Sequence, residues 1–166
     1  MSKSSYSSLI EGFCKRSWLD DPASVMRGGP VEVNEVKFSL IYSEKINADM
    51  LFIYCDFGDP PVGRERDVYR ALLKKNLFLY KGDGPVFAIS PDTGRIMLAR
   101  HERLDALTPD ILSSILTTLS SQANAWRKEP LSSEEEMRQT TPASRSASST
   151  SALLARAQIA RVSKNS

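Results

Sequence analysis

The chain has 166 residues, of which 41% are hydrophobic and 25% are charged, values typical of one soluble globular domain. Residues 1–130 contain 17 Lys and Arg against 17 Asp and Glu, and this balance argues against nucleic acid as the main partner. No apolar run approaches the roughly 20 residues of a membrane span, and the N-terminus lacks the apolar core of a secretory signal peptide. The two cysteines, Cys14 and Cys55, fit no disulfide framework or metal motif, so we expect a cytoplasmic protein.

The N-terminal half predicts a helix followed by two strands. The helix has apolar side chains every three or four residues, which places them on one face; they are Tyr6, Leu9, Ile10, Phe13, Cys14 and Trp18. It ends before Pro22, because the residue before a proline avoids the helical conformation. Alternating apolar residues then predict one strand over 31–42. The run 50–57 is apolar on both sides except near Asp56, which is typical of a central strand.

The following segment predicts a helix, a hairpin and a last helix. Residues 64–79 carry an apolar stripe at helical spacing, and strands over 86–89 and 95–100 flank a turn rich in Pro and Gly. The last helix begins after Thr108, a favourable N-cap residue, and ends before Pro130. The element order α-β-β-α-β-β-α predicts an α+β fold, a twisted antiparallel sheet with helices packed on it.

The composition changes after residue 130, so we divide the chain into a folded domain over 1–130 and a flexible tail over 131–166. The tail is rich in Ser, Thr and Arg and almost free of apolar residues as far as 151. Such a segment cannot bury enough surface to offset the entropy of ordering it. A short helix is possible over 151–162.

Residue spacing predicts no catalytic residue, no cofactor site and no metal site. The only histidine, His101, stands at the end of a strand, and no nucleophile lies beside it in the sequence. The glycine pairs precede strands rather than helices, so they lack the helix N-terminus of a phosphate site. Basic residues line one side of the second long helix. This side is either an ordinary solvated face or a contact surface for an acidic partner. The residues are Arg64, Arg66, Arg70, Lys74 and Lys75.

Aromatic residues occur on both faces of the predicted sheet. Covering both faces requires helices on both, and three helices in so small a domain can leave one face partly exposed. Large exposed apolar patches on soluble proteins mark interaction sites. An ordinary core accounts for the same periodicity, so both interpretations stay open at this point.

Several residues together resemble a known family. They are Leu72-Leu73 with Asn76, then Gly84-Pro85 opening a strand, Asp92 in the hairpin turn and Trp126 near the end of the last helix. In this order they resemble the class I type III secretion chaperones, the CesT/Tir-chaperone family, and the resemblance covers residues 5–128. The length and the polar tail look most like the broad-specificity, HpaB-like members of plant-associated pathogens. Family members are usually acidic, whereas this chain has a net charge of +2.

The resemblance implies a homodimer in the cytoplasm of a Gram-negative bacterium, without enzymatic activity. Such a chaperone binds N-terminal segments of type III effector proteins in extended form, keeps them soluble and export-competent, and delivers them to the secretion apparatus. The bound client adds a strand to a sheet edge and places side chains in apolar pockets. Release is attributed to the secretion ATPase.

The expected binding residues follow from this resemblance together with the apolar pattern. For client binding they are Leu9, Phe13, Trp18, Phe38, Leu40 and Tyr42. For the dimer interface, which in the family lies in this region, they are Val68, Leu72, Leu73 and Leu77. Which of the aromatic residues are exposed depends on strand register. The alternative function is a homodimeric adaptor or regulator whose basic tail contacts nucleic acid, with salt-dependent affinity, or another protein.

Overall fold

A computed structural model gives the fold and describes residues 2–79 and 84–130. Its helices and strands are α1 (Ser2–Ser17), α2 (Pro22–Met26), β1 (Pro30–Val33), β2 (Val36–Ser43), β3 (Asn47–Gly58), α3 (Glu65–Leu79), β4 (Val86–Ile89), β5 (Ile96–Arg103) and α4 (Pro109–Lys128). A single 3-10 turn, Leu104–Ala106, precedes α4 in this described part. The predicted tail over 131–166, with its possible helix over 151–162, lies outside the described residues.

The strands form one sheet in the order β1-β2-β3-β5-β4, and every neighbouring pair is antiparallel. The α+β prediction is therefore confirmed. Two details differ from the predicted order. The strand expected over 31–42 is a hairpin of two strands, β1 and β2, and a short helix, α2, begins at Pro22, the proline before which α1 was expected to end.

The hairpin turn at Asn34 and Glu35 explains why the sequence pattern missed it. Both residues have positive φ, 49° and 64°, as in the two-residue turns that favour Asn and Gly. Glu35 gives no such signal. The turn is held instead by α4: the Asn34 amide donates to Ser120 Oγ at 2.9 Å, and the Arg127 guanidinium donates to the Glu35 carbonyl at 3.1 Å. Contacts distant in sequence therefore fix a conformation that Glu35 does not favour.

The core lies between one face of the sheet and the helices. Residues of the covered face alternate along the strands and are almost fully buried: Phe38, Leu40, Leu51, Ile53, Ile96 and Leu98. Helices α1 and α4 pack on this face and on each other. At Gly12 a Cβ atom would stand 2.8 Å from Cγ of Pro109, so only glycine allows this close approach. The predicted N-cap is present, since Thr108 Oγ1 accepts the Ile111 N–H at 3.2 Å.

Helix α3 also contributes to this core, at the β4 side of the sheet. Val68 and Leu72 are buried in the same apolar cluster, and Lys75 Nζ lies 5.3 Å from the centroid of the Phe87 ring. Phe87 in turn makes an edge contact with Phe57, with ring centroids 5.2 Å apart. All three long helices thus belong to one side of the sheet.

Candidate binding surfaces

The other face of the sheet is not covered by a helix in the described part of the chain. Its apolar side chains are half-buried or exposed, although four of them stand on the central strands β3 and β5. Tyr54, near the middle of β3, is 37% exposed, whereas its chain neighbours Ile53 and Cys55 are fully buried. We call this surface the open sheet face; its apolar residues are Ile41, Phe52, Tyr54, Val86, Ala88, Met97 and Ala99.

Strand register makes the open sheet face continuous. Ile41 pairs with Phe52 across β2 and β3, and Tyr54 pairs with Ala99 across β3 and β5. Ala99 pairs in turn with Val86 on β4. Because neighbouring strands lie about 4.8 Å apart, a surface crossing β2, β3, β5 and β4 is roughly 14 Å wide.

Polar residues border this surface. The ring of His101 stands 6.1 Å from that of Phe52, so the only histidine of the chain lies on the open sheet face. At the far end of β3, Arg95 Nε donates to both carboxyl oxygens of Asp56, at 3.1 and 3.0 Å, and its Nη1 donates to Asp59 at 2.6 Å. The open sheet face therefore ends in paired charges rather than in a single-sign patch.

Four of the residues expected to bind a client are core residues, which corrects that expectation. Leu9 and Phe13 on α1 are 5% and 1% exposed, and Phe38 and Leu40 on β2 are 1% and 0% exposed. The reason is the strand register: Phe38 and Leu40 belong to the face that α1 and α4 cover, and the apolar stripe of α1 is used to cover it. These side chains offer no surface to a client.

The remaining two expected client residues, Trp18 and Tyr42, differ from each other. Tyr42 is half-buried and stacks on Tyr6, with ring centroids 4.9 Å apart. Trp18 is 91% exposed, because α1 ends at Ser17 and the apolar stripe ends with it. The Leu19 N–H donates to the Cys14 carbonyl at 3.0 Å, which places Trp18 at the residue after the helix end, where φ is 55° and glycine is preferred.

The four expected interface residues divide between the core and the surface. Val68 and Leu72 are buried, whereas Leu73 and Leu77 are 70% and 75% exposed. Phe78, which the sequence analysis did not include, is 67% exposed. We call Leu73, Leu77 and Phe78 the α3 apolar patch. Its members do not lie on the stripe that faces the sheet, so the helical pattern alone could not separate them from core residues.

Asn76 gives the β4 edge an unusual partner. Its side-chain Nδ2 donates to the Phe87 carbonyl at 2.9 Å, and its Oδ1 accepts the Phe87 N–H at 2.7 Å. These are the two bonds that a neighbouring strand would make. Helix α3 therefore occupies this edge of the sheet at Phe87, and strand addition there would have to displace Asn76.

Both cysteines are buried in the core. Burial raises the pKa of Cys55 to about 12 and also raises the pKa of Cys14, so both thiols stay protonated at neutral pH and are poor nucleophiles. In the range searched, 2–79 and 84–130, no group of three or more His, Cys, Asp or Glu is placed to hold a metal ion. Within the same range, none of the helices is long and apolar enough to span a bilayer.

Comparisons with known proteins give one family and several similar folds. The model of the Tir chaperone protein (CesT) family matches residues 32–127. A chain in the crystal structure of the ExsC–ExsE complex has 21% sequence identity and a TM-score of 0.62, over 76% of this chain and 93% of that chain. A chain in the HopA1–SchA chaperone–effector complex has 17% identity and a TM-score of 0.58, over 75% and 94%.

A further similar structure is that of the Yersinia pestis type III secretion chaperone SycH in complex with a stable fragment of YscM2. It has 22% identity and a TM-score of 0.54, over 72% of this chain and 98% of that chain. At these identities the likeness establishes the fold. No match was found among the curated proteins.

Proposed function

We propose, from the premise that the chain belongs to the Tir chaperone protein (CesT) family, that it is a type III secretion chaperone for effector proteins. It binds N-terminal effector segments in extended form, keeps them soluble and export-competent, and delivers them to the secretion apparatus. Support comes from the similar structures, which hold complexes: one is described as a chaperone with a fragment of YscM2, another as a chaperone–effector complex.

The observation that carries this proposal is the open sheet face. An apolar surface that crosses four strands is costly to leave in water, and it marks an interaction site on a soluble protein. Burying one Phe or Leu side chain contributes about 1.5–3 kcal/mol, so a few client side chains placed on Phe52, Tyr54 and Met97 offset the entropy lost when an unfolded client is ordered. We therefore place the client site on the open sheet face and not at the residues that the sequence analysis expected.

Homodimerisation through α3 is part of the proposal. The α3 apolar patch is exposed in the single chain, and α3 contacts β4, on which Ile89 is also exposed. We expect Leu77→Asp to convert the dimer to a monomer in light scattering, because an unpaired carboxylate cannot be buried at an apolar interface. Ile46→Asp, at an equally exposed position outside this region (70%), is the control. A wild-type chain that stays monomeric at micromolar concentration contradicts this part.

We propose three further properties, which membership of a chaperone family supports. The protein acts by binding and has no enzymatic activity of its own. It works in the cytoplasm, where effectors are synthesised. The secretion ATPase is its second partner and releases the client.

The client site is tested with open-face variants and an effector N-terminal fragment. Phe52→Glu and Tyr54→Glu should each weaken binding by at least about 1 kcal/mol, as expected for aromatic anchors, while thermal unfolding followed by circular dichroism stays cooperative. Val62→Glu, at a position 96% exposed, should bind normally. Trp18→Glu tests the competing site at the end of α1: if it alone abolishes binding, the client binds there and the open sheet face is not the site.

A further inference from the structure

One position on the open sheet face is smaller than all of its neighbours. Ala99 on β5 pairs with Tyr54 on β3 and with Val86 on β4. Because side chains two residues apart on a strand share a face, Met97 and His101 complete the ring around Ala99. These four side chains are all larger than the methyl group of alanine. The surface is therefore lowered at Ala99, and we call this place the Ala99 depression.

The burial of the two alanines on this face agrees with such a depression. Ala99 is half-buried, although the open sheet face carries no helix in the part of the chain that the structure describes. Ala88 lies on the same face and is exposed. It pairs with Met97 on β4, the last strand of the sheet, so a strand flanks it on one side only. The larger side chains around Ala99 therefore shield its methyl group.

The chemistry and the width of the depression suit one aliphatic side chain. Three of its walls, Tyr54, Val86 and Met97, present apolar surface. An apolar side chain enters such a place without electrostatic cost, whereas a charged one has to be desolvated. Tyr54 and Val86 stand two strand spacings apart, about 9.6 Å between their backbones. Their own side chains occupy part of this width, so the remainder fits leucine better than the broad ring of tryptophan.

We propose that the Ala99 depression holds one aliphatic side chain of the client. The depression selects clients that carry leucine, isoleucine or methionine at the position that reaches it. This inference rests on the proposed function and deepens it, because it gives the open sheet face a place that distinguishes one client residue from another. Phe52 and Ile41, farther along the same face, contribute apolar area to any client that crosses them.

Filling the depression is the first test. Ala99→Leu places the chaperone's own side chain where the client side chain would lie. We expect it to weaken binding of an effector N-terminal fragment at least about tenfold in fluorescence anisotropy, because the occupied site cannot take a second side chain. Ala88→Leu adds the same side chain at the exposed edge of the same face and should change the affinity by about twofold or less. Circular dichroism melting checks that both variants fold.

A scan of the client tests whether the two side chains meet. Each Leu, Ile and Met of the fragment is changed in turn to Ala. One of these changes should weaken binding to the wild-type chain about tenfold and have little effect on binding to the Ala99→Leu variant, because groups in contact are not additive. If every change has the same effect on both chains, no client side chain occupies the depression, and the proposal is overturned.

An introduced thiol keeps the test decisive if Ala99→Leu folds poorly. Ala99→Cys adds a single sulfur atom, which a depression of this kind accommodates. The native Cys14 and Cys55 are buried, and burial raises the pKa of both thiols, so iodoacetamide reacts first at the introduced position. The bound fragment should slow this reaction at least about tenfold, since it covers the thiol. An unchanged rate in a fully formed complex would overturn the proposal.

The outcomes separate this inference from the proposed function. If Phe52→Glu weakens binding while Ala99→Leu and Ala88→Leu bind the fragment equally well, the client lies on the open sheet face and the Ala99 depression does not hold one of its side chains. The inference alone is then overturned. If Phe52→Glu and Tyr54→Glu both bind the fragment normally, the client lies elsewhere, and the client site and this inference are overturned together.

Discussion

The two faces of the sheet are made from the same strands and similar residues, yet they end in different environments. Phe38 on β2 is 1% exposed and lies under helices, while Phe52 on the neighbouring strand is only half-buried and lies on the open sheet face. Alternation within a strand determines which residues share a face. It does not determine which face becomes the core, because that depends on where the helices pack. Both faces are apolar here, and only one is used for folding.

Removing one phenylalanine from each face should give the largest contrast. Phe38→Ala leaves a cavity in the core and should lower the free energy of unfolding by about 3–5 kcal/mol. Phe52→Ala loses mainly cross-strand contacts and should lower it by about 1 kcal/mol or less. Urea unfolding of the two variants measures both values. If both variants lose the same free energy of unfolding, the open sheet face is covered in solution, and the two faces do not differ in burial.

The next effect concerns Arg127, which ties the end of α4 to the sheet. Its guanidinium donates to the carbonyls of Asp56 at 2.8 Å and Phe57 at 3.2 Å, in addition to that of Glu35. Arg127→Met should lower the free energy of unfolding by about 1.5–3 kcal/mol, the range for hydrogen bonds from charged groups. Lys128→Met, at the exposed neighbouring position, should change it little. If both variants are equally stable, the helix does not need this side chain to hold the covered face.

Lys75, on the covered side of the sheet, should make the free energy of unfolding depend on pH. Burial lowers the pKa of Lys75 from 10.5 to about 8, so between these values the unfolded chain binds the proton more strongly than the folded chain. The stability of the folded state therefore rises with pH across this window, and the cost of charging Lys75 is fully present below it. Lys75→Met should raise the melting temperature at neutral pH. It should also reduce the increase in stability between about pH 8 and 10.5, whereas an unchanged pH profile would contradict the assignment to Lys75.

The smallest expected effect is at Trp18, which belongs to neither face. Its positive φ disfavours any side chain, and its ring contributes little to packing at this exposure. Trp18→Gly should therefore stabilise the chain by about 0.5–1 kcal/mol, after allowing for the greater freedom of glycine in the unfolded state. Trp18→Ala keeps the strained conformation and should not give this gain. A destabilised Trp18→Gly variant would mean that the ring packs on the protein in solution.

The sequence predicted the long elements because their signals are local. Thr108 and Pro109 start α4, and the apolar stripe over 64–79 gives α3 within a residue of its observed start. The family resemblance, based on Asn76, Gly84 and Pro85 among others, is confirmed by the family match over 32–127. The hairpin turn at Glu35 could not be predicted, because contacts from α4 hold it.

The binding surfaces were harder to predict because exposure is a tertiary property. Leu72 and Leu73 are adjacent leucines in one helix, and one is buried while the other is 70% exposed. The sequence left open whether apolar surface remains exposed, and four of the residues expected to bind a client belong to the covered side. Periodicity identified the two faces of the sheet, but it does not determine which of the two faces the helices cover.

The central claim is that the client lies on the open sheet face, and hydroxyl-radical footprinting of the full chain tests it directly. Oxidation rates of Phe52, Tyr54 and Met97 are measured by mass spectrometry with and without a bound effector N-terminal fragment, and Trp18 serves as the exposed reference. We expect the client to slow oxidation of the three open-face residues several-fold and to leave Trp18 unchanged. Unchanged rates at Phe52, Tyr54 and Met97 in a complex that is fully formed would contradict the account.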